Sequence, residues 1–290
     1  MKDEQASTTA KVIAGATLLL ASDSRTANLV APGAAELSGL MLSGAFRDRL
    51  FAASVRSPPT RAFWRWIERI TLPGIVAHFW RRKRWIERRC REAIAQGFER
   101  VIVLGAGFDT LGIRLCNEYV HLAVVEIDHP ATQAAKRRAF AKGSIEPPAQ
   151  LKVVPLDLGG APLPESVRAD RRATFVIAEG LLMYLPPADV EGLFDALRGL
   201  PVDRLRFLFS FITRWPDGSS GFHPRSALID RWLAWRGEPF KWSIEPPCIP
   251  DFLASHRFDL VEMALTHAIH DEAPDPMALD GENFVLCEPA

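Results

Sequence analysis

Net charge is the first thing this sequence lacks: 35 Lys and Arg balance 35 Asp and Glu over 290 residues. A balanced chain exerts no whole-molecule pull on nucleic acid or on an anionic membrane, so neither is expected as a partner. Cysteine is sparse, and Cys90, Cys116, Cys248 and Cys287 stand too far apart for a C-x-x-C pair. Free thiols in a reducing cytoplasm are the simple reading. The apolar run Val12 to Ala21 is only ten residues long, against the roughly 20 that a membrane span needs. Its flank carries Asp3 and Glu4 beside Lys2, a poor start for a secretion signal, so a helix packed on the rest of the protein is expected. G-x-S-x-G is absent, which argues against a hydrolase with a nucleophile elbow. His267 and His270 form no zinc-type motif, and no metal is expected.

What is present divides into three zones. Residues 1–96 read as a helical extension: Arg61 to Arg69 and Ile75 to Ala95 place apolar residues three and four apart, and Pro73-Gly74 breaks the chain between them. From Phe98 the pattern alternates. Arg100 to Leu104, Leu122 to Ile127, Leu151 to Pro155, Thr174 to Ala178 and Leu205 to Phe211 are short apolar runs rich in β-branched residues. Helical patterns such as Ala131 to Lys142 and Pro187 to Leu200 lie between them. Apolar strands alternating with helices predict an α/β fold with a parallel, Rossmann-like sheet covered on both faces. The stretch of about 214–250 holds six prolines and Trp215, Trp232, Trp235 and Trp242, which suits an inserted lid. Phe258 to Met263 and Asn283 to Cys287 predict two closing strands. Residues 97–290 would then form one domain, with the lid inserted before its last two strands.

In an open parallel sheet, ligands bind beyond the carboxyl ends of the strands. After the first strand comes Gly105-Ala-Gly107-Phe-Asp109-Thr110, whose glycines permit a sharp turn and close approach to a ligand. Asp109 falls where the next helix begins. It would repel a pyrophosphate there, and it can equally serve as the helix N-cap. Asp128, at the end of the second strand, lies 21 residues beyond Gly107, the separation at which an acid accepts ribose hydroxyls. Asp157-Leu158 after the third strand suits an adenine amino group and ring face, and Glu179 ends the fourth. Four acids on one rim disfavour a phosphate-bearing ligand and suit a sulfonium that carries an ammonium group and an uncharged nucleoside.

The strings VIVLGAGFDTLGIRL from Val101, VVEIDHPATQAAKRR from Val124, PLDL from Pro155 and IAEGLLMYLPPADV from Ile177 together resemble the leucine carboxyl methyltransferase family. The similarity covers roughly residues 75 to 200, and more loosely GEPFKW at Gly237 and GENFVLCEP at Gly281. The resemblance implies a class I methyltransferase that uses S-adenosylmethionine, in a family that includes bacterial O-methyltransferases of natural-product pathways. It assigns Gly105 and Gly107 to the face of the cofactor, Asp128 to its ribose, Asp157 and Leu158 to adenine, and Glu179 to a further contact. Arg82, in Arg82-Lys-Arg-Trp-Ile-Glu87, inherits the grip on the cofactor's carboxylate, with Arg84 the neighbouring alternative. Lys83 and Glu87 depart from the family's R-T-x-x-I-D setting.

The resemblance implies a small-molecule carboxylate or hydroxyl as methyl acceptor, with the C-terminal carboxylate of a protein as the alternative. No catalytic base is assigned; Tyr184, His78 and His223 are the polar candidates. A reading from another class is an RNA binder using the Arg/Trp-rich arm 79–91, which has seven basic residues and aromatics able to stack. Against it stands the alternative of a helix with a solvated basic face and a buried Trp80, Trp85 and Ile86 side.

Overall fold

The computed structural model describes residues 7–270 and 279–290. The chain opens with five helices: α1 (Thr8–Ala21), α2 (Ala34–Met41), α3 (Phe46–Arg56), α4 (Pro58–Thr71) and α5 (Ile75–Ala95). The apolar run predicted as a packed helix is α1, whose Leu18, Leu19 and Leu20 are buried against α2, α3 and α5. The break at Pro73-Gly74 separates α4 from α5 as expected. Among the described residues, no helix is long and apolar enough to cross a membrane.

Seven strands follow, interleaved with helices: β1 (Arg100–Leu104), α6 (Leu111–Glu118), β2 (Ala123–Asp128), α7 (Pro130–Lys142), β3 (Leu151–Pro155), α8 (Glu165–Arg168), β4 (Thr174–Ala178), α9 (Pro187–Arg198), β5 (Leu205–Ile212), α10 (Ala227–Arg236), α11 (Ile249–Ser255), β6 (Phe258–Ala264) and β7 (Glu282–Pro289). They form one sheet in the order β3-β2-β1-β4-β5-β7-β6. The first five are parallel, and β7 inserts antiparallel between β5 and β6. The Rossmann-like α/β sheet and the two closing strands are therefore as predicted. The lid stretch is more regular than its prolines suggested, because it carries α10.

Strand alternation sends side chains to two cores. Val101, Val103, Phe175 and Ile177 face α1, α5, α6 and α7; Ile102, Leu104, Val176 and Ala178 face α8, α9 and α11. The order in which strands are added reverses between β1 and β4, which opens a crevice at their carboxyl ends. Leu104 pairs with both Ile127 and Ala178, so Gly105, Asp128 and Glu179 leave three adjacent strands at one level.

Candidate functional site

Above these strand ends lies a cavity of about 1760 Å³. Loops after β1 to β4 line its floor, α1, α3, α4 and α5 its roof, and Phe222, Trp232 and Glu238 to Lys241 of the lid its mouth. All seven predicted site residues, Arg82, Gly105, Gly107, Asp128, Asp157, Leu158 and Glu179, line this one cavity.

The glycine loop needs its glycines. Gly105 has φ +65°, and a side chain there would come within 3.0 Å of Leu181. Gly107 has φ +51° and lies so close to α1 that an added Cβ would sit 3.2 Å from that of Ala10. Asp128 braces the turn: its carboxylate accepts the N–H of Gly107 at 2.5 Å and of His129 at 2.6 Å. Burial pushes its pKa up from the ordinary value, and those two N–H donors pull against that rise. Asp157 is exposed and accepts the N–H of Gly159 at 3.0 Å.

The expected rim of four unrelieved acids needs correction. Asp109, Asp128, Asp157 and Glu179 all reach the cavity wall, but α5 lays two cations across the ends of β1 and β4. Lys83 Nζ pairs with Asp109 at 3.2 Å and with Glu179 at 3.1 Å, and Arg82 Nε pairs with Glu179 at 2.8 Å. Lys83, one of the two residues that depart from the family string, thus neutralises half the rim together with Arg82. Asp109 is not the N-cap of α6, a position that Thr110 holds; from one residue earlier its carboxylate accepts the N–H groups of Thr110 and Leu111 at 2.6 and 3.1 Å.

Arg82 is 4% exposed, and its Nη1 donates to both oxygens of Glu282 at 2.9 and 2.8 Å. His78 joins through Nε2, 2.7 Å from the same carboxylate. Burial alone would raise the Glu282 carboxyl, yet the Arg82 guanidinium and the His78 hydrogen bond bring it down to about 2. Arg84 also lines the cavity, with its guanidinium 5.2 Å from the centre of the Trp80 ring. Both candidate arginines therefore reach the wall, Arg82 from a buried ion cluster and Arg84 from a stack on an aromatic face.

Three charged groups were missed in the sequence. Glu282 sits at the start of β7 in a G-E-N string that gives no local hint of a partner. Glu126 lies beneath the glycine loop and pairs with Lys136 at 2.6 Å, both 1% exposed; the E-x-D spacing around Asp128 was its only signal. Glu238 of the lid accepts the N–H groups of Thr8 and Thr9 at 3.2 and 3.3 Å, and so caps α1. Along the basic arm, Trp85 and Ile86 are buried, and Arg89 and Arg91 pair with Glu92, Glu262, Glu87 and Glu118.

Comparison with known proteins agrees with this geometry. The model of a family described as leucine carboxyl methyltransferase matches residues 27–198. Two relatives bear the name "Putative S-adenosyl-L-methionine-dependent methyltransferase". That of Mycolicibacterium paratuberculosis (strain ATCC BAA-968 / K-10) is 34% identical over 122 residues, covering 41% of this chain and 39% of the relative. That of Mycobacterium sp. (strain KMS) is 29% identical over 195 residues, covering 59% of this chain and 63% of the relative. The match thus spans less than two thirds of either relative's length. Among solved structures, the pyocyanin biosynthetic protein PhzM superposes with a TM-score of 0.50 at 13% identity, covering 92% of this chain and 77% of that one, a likeness of fold.

Proposed function

This chain belongs to the leucine carboxyl methyltransferase family and has the class I methyltransferase fold, and from that premise we propose that it transfers the methyl group of S-adenosylmethionine to an oxygen of a small, largely apolar acceptor. The observation that carries this reading is the cavity. Its volume of about 1760 Å³ exceeds the roughly 300–1,000 Å³ of a one-ligand site, which suits two reactants held side by side.

The floor fits the cofactor. Each oxygen of Asp128 accepts one backbone N–H and keeps a lone pair, enough for two ribose hydroxyls. Asp157 and Leu158 offer an acceptor and an apolar face for adenine. Arg82 and Glu179 present a guanidinium beside a carboxylate, the complement of an α-amino acid zwitterion. Bound there, the cofactor supplies an electrophilic methyl group. The protein's share is alignment and exclusion of water, for which the N-terminal helices form the roof and the lid residues the mouth.

The acceptor is best read as a carboxylate. Burial pushes the phenol of Tyr184 above its ordinary value, which makes it a poor base near neutrality. His78 is tied to Glu282, and His223 packs against Trp215 with ring centres 4.1 Å apart. A carboxylate arrives ionised and needs no base. The roofed cavity favours a small acid over the C-terminus of a protein.

The test is incubation with methyl-labelled cofactor and a panel of aromatic and alkyl acids and phenols, alongside calorimetry with S-adenosylhomocysteine and with NAD. Label in base-labile esters, with product binding and no NAD binding, is the expected result. NAD binding without S-adenosylhomocysteine binding would overturn the assignment, and label in ethers alone would move the acceptor to a phenol.

A further inference from the structure

Helix α4 breaks the usual rule for a surface helix. An amphipathic helix turns one apolar stripe inward and a polar face to water. In α4, Trp64, Ile67, Glu68 and Thr71 line the cavity, yet no residue of the helix is buried. Its other side carries Phe63, Trp66 and Ile70 at spacings of three and four, exposed to 51%, 55% and 51%. The helix is therefore a wall one residue layer thick, with apolar groups on both sides. Isolated exposed apolar side chains are ordinary, but three large ones on one helical stripe mark a contact surface.

Charge identifies the partner. Residues 46–71 contain Arg47, Arg49, Arg56, Arg61, Arg65 and Arg69 against Asp48 and Glu68 alone. Both acids are occupied within the fold: Asp48 pairs with Lys11 at 2.9 Å, and Glu68 accepts the N–H of Val76 at 3.0 Å. Of the arginines, Arg65 pairs with Asp23 at 2.8 Å and Arg61 donates to the carbonyl of Ser22, while Arg47, Arg49, Arg56 and Arg69 are exposed. Arg69, three residues beyond Trp66, is exposed beside the stripe. The zero net charge of the whole chain thus conceals a local excess of positive charge. A second copy docked through this face in a two-fold contact would set these arginines against themselves. An anionic lipid surface instead neutralises them and accepts Trp, Phe and Ile at the level of its headgroups.

We propose that α4 is an interfacial helix by which the protein lies on an anionic phospholipid bilayer. This departs from the expectation, drawn from whole-chain charge, that no membrane is a partner. The proposal rests on α4 alone and is independent of the reaction. If the methyl-transfer reading also holds, an apolar acceptor dissolved in that bilayer would meet the cavity across a single helix.

The experiment is co-sedimentation of the full chain with vesicles of mixed phosphatidylglycerol and phosphatidylcholine, and with phosphatidylcholine alone, at low and high salt. Binding to the anionic vesicles, weakened by salt, is expected. The F63S/W66S/I70S variant should lose at least about tenfold in vesicle affinity. Because the three side chains are exposed, its unfolding midpoint and its S-adenosylhomocysteine affinity should be unchanged. Wild-type protein that stays in the supernatant, or a triple variant that pellets like wild type, would overturn the proposal. So would a dimer in analytical ultracentrifugation that the same variant dissolves, since the face would then belong to a second copy.

Discussion

On the β2–β3 side of the cavity the carboxylates of Asp128 and Asp157 hydrogen-bond backbone N–H groups, whereas on the β4–β7 side Glu179 and Glu282 are locked to Arg82, Lys83 and His78. The same residue type does different work on the two walls. A carboxylate that meets only neutral donors keeps capacity for a ligand's hydroxyl or amino groups, and its removal leaves neutral N–H groups rather than charges without a partner. A carboxylate buried among cations holds the fold together, and its removal strands those cations. Mutation should therefore separate the walls: loss of stability on one, loss of affinity on the other.

The largest effect is expected at Glu282. Glu282→Gln takes the carboxylate from His78 and one of two from Arg82, which keeps Glu179, and should cost about 3 kcal/mol of stability in urea unfolding at neutral pH. Because the folded-state pKa of Glu282 lies near 2, below the ordinary 4.5, its contribution is complete above pH 4.5 and is lost as pH falls from there towards 2. The gap between wild type and variant should shrink across that window by on the order of 3 kcal/mol. A gap that does not change with pH would mean that packing, not the ion cluster, accounts for the loss.

Asp128→Ala comes next. Losing the acceptor for two hydroxyls should weaken cofactor binding by roughly ten- to a hundredfold in calorimetry, with a much smaller change in unfolding. If stability fell as far as in Glu282→Gln, the contrast between the walls would be wrong. Arg82→Lys is milder, since it keeps the charge but gives up the two-pronged grip. It should raise the cofactor KM about tenfold and leave saturated kcat nearly unchanged, the mark of contacts equal in ground and transition states. Arg84→Met should do less, and the reverse order would shift the carboxylate grip one position along the wall. The smallest effect is expected at Glu238→Ala, where loss of a helix cap should cost about 1 kcal/mol, visible as a lower thermal midpoint.

Most of the sheet could be read from sequence because its signals are local. Arg100 to Leu104 and Thr174 to Ala178 are apolar runs ended by Gly105 and Glu179, and the observed strands have those limits. The site residues after the strands are local too, which is why all of them converge on one cavity. What could not be read depends on contacts between distant residues. Glu282 and Arg82 are 200 positions apart, and Lys83 reaches Glu179 across 96, so no spacing rule reveals that the acid rim is half neutralised. Helix α10 was hidden because the prolines on either side of Ala227–Arg236 make the stretch read as irregular, although Trp232 and Trp235 belong to the helix itself.

The contact that Glu238 makes with α1 ties the lid to the first helix, 230 positions away, through a single side chain. Glu238 is 9% exposed, and the N–H groups it satisfies belong to the helix that presses on Gly107. Ser7 still accepts the N–H of Ala10, but lifting the lid must strip the amides of Thr8 and Thr9 of their acceptor and expose them to water. Lid opening and fraying of α1 become one event seen from two sides, so amide hydrogen exchange at Thr8 and Thr9 should count how often the mouth opens. Ligands that close the mouth should slow that exchange even though they touch neither threonine's amide.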